Sequence, residues 1–372
     1  MKYRRKLFNI KKIYDLENSN EIFLLAMKEN IKHHQSRCKK YRDINKAFNF
    51  NYKELKNIED ISNIPALPTL FLKNNTLLSK PYNKLIVKTT SSGTSGKKTL
   101  SGFDIGSGYC GIKMVLKVFR FHKLLSLRRV NYLILGYKPS KKNQTAMAKA
   151  LKAIQLLAPA KKVVYALSGD EGNYKFDLDH LINNLIKFSH QKNPVRIIGF
   201  PAYLKLLLEE LNSRNLSFKF NKNSKVIIGG GWKGLFSEQI PKKDLYDLTF
   251  KVLGIPKENF KDHFSTAEHP INYVSCPNGN FHIPVFSRVV IRDVKTLAPV
   301  KENEVGLLNL ITPILSSVAY GSILTDDLAI LRPATKCGCG IKSSYFELIG
   351  RADFSNIKTC TQLANEIIEK GS

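Results

Sequence analysis

Between residues 131 and 228 the chain repeats one pattern: a short apolar run, then a segment with helical apolar spacing. The runs are Asn131-Tyr-Leu-Ile-Leu, Lys162-Val-Val-Tyr-Ala-Leu, Val195-Arg-Ile-Ile-Gly-Phe and Lys225-Val-Ile-Ile. Bounded by turn residues, each reads as a buried or half-buried strand. Helical segments from Thr145 to Leu157, Leu178 to Phe188 and Tyr203 to Leu211 lie between them. Alternation of this kind predicts an α/β sheet. Leu85-Ile-Val-Lys adds a strand before the series, and Val289-Val-Ile-Arg and Gly306-Leu-Leu-Asn-Leu-Ile add two after it. Beyond about residue 270 the helices thin out and the strands become hairpin-like. The first 60 residues read as helices until Pro65-Ala-Leu-Pro68 breaks the pattern. The expected organisation is a helical segment at 1–60, an α/β core at 61–270, a β-rich subdomain at 271–350 and a short tail at 351–372.

The 372 residues suit one large domain or two smaller ones, and 43% hydrophobic against 24% charged residues supplies a core. No apolar run approaches the ~18 residues of a membrane span. The N-terminus, Met1-Lys-Tyr-Arg-Arg-Lys-Leu-Phe, is basic without the apolar stretch of a secretory signal. Six irregularly spaced cysteines give no disulfide framework. A cytoplasmic enzyme or binding protein is therefore expected. The net charge is +29, but 46 lysines against 13 arginines are scattered along the chain. Phosphate forks and base edges favour Arg, and no Arg-aromatic cluster appears, so nucleic acid is not an expected partner. A solvated basic surface is the simpler reading, with a peripheral membrane contact or an acidic partner as the functional alternative.

The densest chemical signal is Thr89-Thr-Ser-Ser-Gly-Thr-Ser-Gly-Lys-Lys-Thr99, just after a predicted strand. Its hydroxyls, glycines and lysines supply the donors a polyphosphate needs. It is not a Walker A loop, because only two residues separate Gly93 from Gly96. Gly229-x-Gly231-x-x-Gly234 follows a strand as a dinucleotide motif does, but Pro241 falls where the helix interior should be. Cys337-x-Cys339 could begin a zinc site, yet no second pair stands at ligand spacing along the chain, so a tight turn is expected. Cys276 and His282, six residues apart across Pro and Gly, read as a hairpin lining the site rather than a nucleophile pair. His122 and His263 read as structural.

The tail carries a signal of its own. Thr359-Cys-Thr-Gln362 matches a capping box, and Leu363, Ile367 and Ile368 form an apolar stripe after it. Cys360 would open that short helix, where the dipole and Lys358 favour its thiolate.

Ser91-Ser-Gly-Thr-Ser-Gly-Lys-Lys-Thr99 resembles the phosphate loop of the adenylate-forming superfamily, and further motifs follow in that superfamily's order. Gly229-Gly-Gly231 resembles the adenine-pocket turn. Phe264-Ser-Thr-Ala-Glu268 resembles the motif whose aromatic stacks on adenine and whose Glu serves magnesium. Thr325-Asp-Asp327 and Gly350-Arg351 resemble the ribose-binding Asp and the Gly-Arg that closes the large domain. Ser265 and Asp326 depart from it, standing where Gly is usual. Within that superfamily, Ile64-Pro-Ala-Leu-Pro-Thr-Leu-Phe-Leu-Lys73, Cys276-Pro-Asn-Gly-Asn-Phe-His-Ile-Pro284 and Cys337-Gly-Cys-Gly340 are similar to the acyl-protein synthetases. These are the ATP-dependent fatty acid–protein ligases of bacterial fatty-acid reductase complexes.

The resemblance implies an α/β fold: the large N-terminal domain with a β-rich subdomain and without the C-terminal lid, since the sequence runs only about 20 residues past Arg351. It implies ATP and Mg2+, a fatty or other carboxylic acid, and an acceptor protein of the acyl-CoA-reductase kind. It assigns nucleotide binding to Ser91, Ser92, Gly93, Thr94, Ser95, Gly96, Lys97, Gly229, Gly230, Gly231, Phe264, Thr266, Asp327 and Arg351. Catalysis falls to Lys97, Glu268 and the acyl-accepting Cys360, with Glu268 as the Mg2+ ligand. A phenylacetate-type acid–CoA ligase and a non-catalytic nucleotide-binding partner remain the alternative readings.

Overall fold

The computed structural model describes residues 1–90, 99–138, 157–168, 175–232 and 239–352. The chain divides into two compact units. One comprises residues 119–264 and 274–279; the other comprises 1–118, 265–273 and 280–372.

The first is the predicted α/β sheet. Strands Phe260–Phe264, Lys225–Gly229, Val195–Gly199, Val130–Tyr137 and Ala160–Ser168 lie side by side in that order, all parallel, and Lys175–Phe176 closes the edge antiparallel. Parallel strands are covered on both faces, so they read as near-continuous apolar runs. Every residue of Val195–Gly199 is buried accordingly. Helix Leu178–Ser189 starts at Asp177, whose carboxylate accepts from the His180 amide at 2.8 Å. Helix Pro201–Ser213 opens on a proline, the residue whose missing N–H costs nothing at a first turn. Helix Lys242–Leu253 begins directly after Pro241 and stops at Gly254, which takes a left-handed φ of 61°. Leu181, Leu185 and Phe188 join Leu204, Leu208 and Leu253 in one core with the strands. The expected helix from residue 145 falls almost wholly outside the described residues.

The second unit is built from chain segments far apart in sequence. Its sheet runs Phe281–His282, Tyr345–Arg351, Ser322–Arg332, Val305–Ile311, Arg288–Arg292, all antiparallel, with Leu67–Pro68 added parallel to Ser322–Arg332. Helices Lys2–Asn9, Asn20–Arg37 and Lys39–Ala47 fill the N-terminus, as their spacing predicts. Buried polar groups tie them to the 312–317 segment. Arg4 Nη1 donates to the Ile314 carbonyl at 3.0 Å, and Asn30 Nδ2 to that of Leu315 at 2.7 Å. His34 Nε2 donates to the same Leu315 oxygen, so its Nδ1 accepts from Ser79 at 2.7 Å. Burial lowers the His34 pKa to about 3, and the ring is neutral. Asp104 is buried too, yet its ion pair with Lys80 and hydrogen bonds from Ser107 and Ser316 hold it well below the usual carboxylate range. Among the described residues no helix is long and apolar enough to cross a membrane.

Candidate active site

In the parallel unit the chain steps from Val130–Tyr137 outward to Ala160–Ser168, then returns to the other side for Val195–Gly199. The carboxyl ends of the two strands flanking such a switch point are where open α/β sheets bind ligands. Two glycines mark this edge. A Cβ on Gly199 would stand 2.1 Å from the Leu135 carbonyl oxygen, and one on Gly229 would stand 2.4 Å from that of His263. Gly230 and Gly231 then turn with φ of 82° and 71°, a conformation other residues adopt only under strain. Gly229 pairs with His263, so the Gly229–Gly231 turn and Phe264 emerge from adjacent strand ends. The sequence places these four residues in one pocket; the fold brings them to one sheet edge. Gly199 was not singled out, because a lone Gly inside an apolar run reads only as strand.

The other unit carries Thr266, Glu268, Asp327 and Arg351. Thr266 and His269 close a tight turn: the His269 amide donates to Thr266 Oγ1 at 2.9 Å, and the Thr266 amide to the His269 carbonyl at 3.3 Å. His269 is buried, with Nε2 2.9 Å from the Tyr273 hydroxyl, and burial lowers its pKa to about 3. This neutral ring anchors the turn that presents Glu268, a role with no sequence motif to announce it. Glu268 is only 5% exposed. Burial raises its pKa, against the opposing pull of a hydrogen bond with Thr99 and the nearby Lys73 charge. Thr99 ends the hydroxyl-rich segment of the sequence, so the base of that segment and Glu268 are neighbours.

Asp327 lies in strand Ser322–Arg332, opposite Arg351 in the neighbouring strand. Arg351 Nε stands 3.5 Å from Asp327 Oδ1, and Arg351 Nη1 3.8 Å from Asp326 Oδ2. The Asp327 amide donates to Thr325 Oγ1 at 3.2 Å. Burial and the adjoining Asp326 raise the Asp327 pKa to about 6, while Arg351 and Thr325 oppose them. Two motifs 24 residues apart are thus one cross-strand constellation of two carboxylates and one guanidinium. Its Asp326, standing where Gly is usual, supplies the second carboxylate. Ser91 through Lys97 and Cys360 lie outside the described residues. The residues flanking the loop, Thr90 and Leu100, are cross-strand partners in an antiparallel pair formed by Val87–Thr90 and Leu100–Phe103.

The family model for acyl-protein synthetase, LuxE, matches residues 12–369. The chain belongs to that family. It is a ligase of the acid-activating kind, with a mixed α/β fold. It is 26% identical over 328 residues to a long-chain-fatty-acid–luciferin-component ligase of Aliivibrio fischeri, covering 86% of this chain and 82% of the relative. A ligase of the same name from Vibrio harveyi is 26% identical over 286 residues, covering 74% and 71%. Among solved structures, 2-hydroxyisobutyryl-CoA ligase with 2-HIB-AMP and CoA in the thioesterification state aligns with a TM-score of 0.65 at 14% identity, over 92% of this chain and 70% of that one. An open conformation of that enzyme gives 0.64, over 90% and 75%. At such identities the likeness concerns the fold, which is that of adenylate-forming ligases.

Proposed function

We propose that this acyl-protein synthetase uses ATP to convert a fatty acid to acyl-adenylate, loads the acyl group on Cys360 and passes it to an acceptor protein of the reductase kind. The observation that carries the reading is the buried Glu268 beside Thr99 at the end of the hydroxyl-rich loop. A carboxylate held in so dry a place, with Lys73 its named cationic neighbour, suits a hard divalent cation and the phosphates it accompanies. Mg2+ bound there supplies charge neutralisation for the polyphosphate. Phe264 and the Gly229–Gly231 turn take the adenine, Asp327 and Arg351 the ribose, and Thr266 the nucleotide motif next to Glu268. Ser91, Ser92, Gly93, Thr94, Ser95, Gly96 and Lys97 cradle the phosphates, and Lys97 offsets the charge that builds as bonds exchange at phosphorus.

In the first half-reaction a carboxylate oxygen attacks the α-phosphorus, the P–O bond to pyrophosphate breaks, and acyl-AMP forms. In the second, the Cys360 thiolate attacks the acyl carbon, a C–S bond forms, and AMP leaves with the electron pair of the C–O bond. Catalysis is mostly positioning of these groups.

The test is acid-dependent pyrophosphate exchange into ATP, followed by retention of labelled acyl groups on the protein. Exchange is expected with long-chain acids. Cys360→Ser is expected to keep exchange near wild type and to lose hydroxylamine-sensitive label, while Cys110→Ser keeps both. Absence of exchange across short, long and aromatic acids overturns the reading, as does full labelling of Cys360→Ser. Multiple turnovers with CoA yielding acyl-CoA would replace it with an acid–CoA ligase.

A further inference from the structure

Spacing along the chain offers no zinc pattern, since Cys337-x-Cys339 has no second pair at ligand distance in sequence. The sheet supplies what the sequence lacks. Strand Phe281–His282 pairs with Tyr345–Arg351, His282 opposite Tyr345. This brings the histidine to the turn that precedes its partner strand. His282 Nε2 lies 3.2 Å from Cys337 Sγ and 3.1 Å from Cys339 Sγ. A tetrahedral zinc ion, with Zn–S of about 2.3 Å and Zn–N of about 2.0 Å, holds S and N about 3.5 Å apart. Both N···S separations are within a few tenths of an ångström of that spacing.

Three further features fit a metal centre. His282 Nδ1 donates to the Ser343 carbonyl at 2.6 Å, which fixes the tautomer and aims the Nε2 lone pair at the two sulfurs. That second hydrogen bond is the usual partner of a metal-bound imidazole. Asn280 Nδ2 donates to Cys337 Sγ at 3.3 Å, the kind of donor that steadies a thiolate. Gly338 and Gly340 take positive φ, 69° and 84°, so Cys337-Gly-Cys-Gly340 curls and both sulfurs face one point.

We propose that His282, Cys337 and Cys339 form a structural zinc site. It fastens strand Phe281–His282 to the Cys337–Gly340 turn. Joining two chain segments more than fifty residues apart, the ion holds the fold. The proposal is independent of the ligase reading, and metal content tests it whether or not the protein activates an acid.

The experiment measures metal in the full-length protein expressed with zinc, then titrates the demetallated protein with Co2+. The expected result is about one zinc per chain. Cobalt should give thiolate charge-transfer bands together with the intense visible bands of a tetrahedral site. Cys337→Ser and Cys339→Ser should each weaken zinc retention against a chelator by at least about 10-fold, with Cys38→Ser unchanged as control. Chelation of the wild type should lower its melting temperature. Because the cobalt spectrum is read on the wild-type chain, a variant that fails to fold does not remove the test. Substoichiometric zinc with no cobalt bands overturns the proposal, and zinc retained undiminished in Cys337→Ser and Cys339→Ser does so too.

Discussion

The two compact units reach their folds by opposite routes. In the parallel unit, strands 130–137, 160–168, 195–199, 225–229 and 260–264 follow one another along the chain, with helices Leu178–Ser189, Pro201–Ser213 and Lys242–Leu253 between the later ones, so hydrophobic burial is organised largely within one stretch of chain. The antiparallel unit gathers residues from positions 4, 34, 104 and 316 into one buried polar seam. The first is held by apolar packing around close backbone approaches. The second relies on buried histidines, arginines and carboxylates that must be paired to be tolerated. The two should therefore fail for different reasons.

The largest expected effect tests backbone closeness in the parallel unit. Gly199→Ala puts a methyl carbon 2.1 Å from the Leu135 carbonyl oxygen, which belongs to the main chain and has no rotamer to move. A loss of about 3 kcal/mol is expected in denaturant unfolding. A near-neutral result would mean the strand ends are further apart than described.

Next comes acid and alkaline stability. His34 and His269, both in the antiparallel unit, have native pKa values lowered to about 3, against an unfolded value of about 6.5. The unfolded state then binds more protons, so stability is full above pH 6.5 and is lost as pH falls toward 3. Each should cost about 2 kcal/mol between pH 7 and pH 5. The parallel unit responds with the same sign in an alkaline window. Burial lowers Lys225 to about 8, so its stability rises with pH between about 8 and 10.4 as the buried ammonium discharges. Hydrogen exchange followed peptide by peptide at pH 5 and pH 9 reads both windows. Equal pH responses in segments 20–37 and 195–211 would break the contrast.

Glu268→Gln separates function from stability. Pyrophosphate exchange should fall at least ~10-fold, about 1.4 kcal/mol of transition-state stabilisation, while the melting temperature holds or rises because a neutral amide is easier to bury. A loss of melting temperature instead would make Glu268 a structural residue. Gly231→Ala is the conformational control for Gly199→Ala. Nothing lies within 4 Å of the added carbon, but φ is 71°, so roughly 1–2 kcal/mol from left-handed backbone alone is expected in the same unfolding measurement. Smallest is the Asp327 effect. Nucleotide affinity should weaken a few-fold as pH falls through about 6 and the carboxylate protonates, and Asp327→Asn should flatten that inflection.

Most strands and the candidate motifs were legible in the sequence because they are local facts. Runs such as Val195-Arg-Ile-Ile-Gly and Lys225-Val-Ile-Ile carry their own burial signal, and the loop at 89–99 carries its own donors. Helix Pro201–Ser213 likewise announces itself by spacing. The 11-residue strand Ser322–Arg332 did not. Thr325, Asp326 and Asp327 interrupt its apolar run, and their place in the ladder depends on register with residues 345–351.

The sequence by itself determined the α/β alternation, the order of the candidate motifs and the hydroxyl, lysine and carboxylate residues they offer. Only the tertiary structure decided which of those types meet. Pairing strand 322–332 with 345–351 puts Arg351 on Asp327, burying the 265–269 turn turns Glu268 into a dry carboxylate, and pairing 281–282 with 345–346 sets His282 against Cys337 and Cys339. Each is a contact between chain segments whose separation no local propensity can bridge. Strand register, which a slip of one residue would undo, is the physical reason.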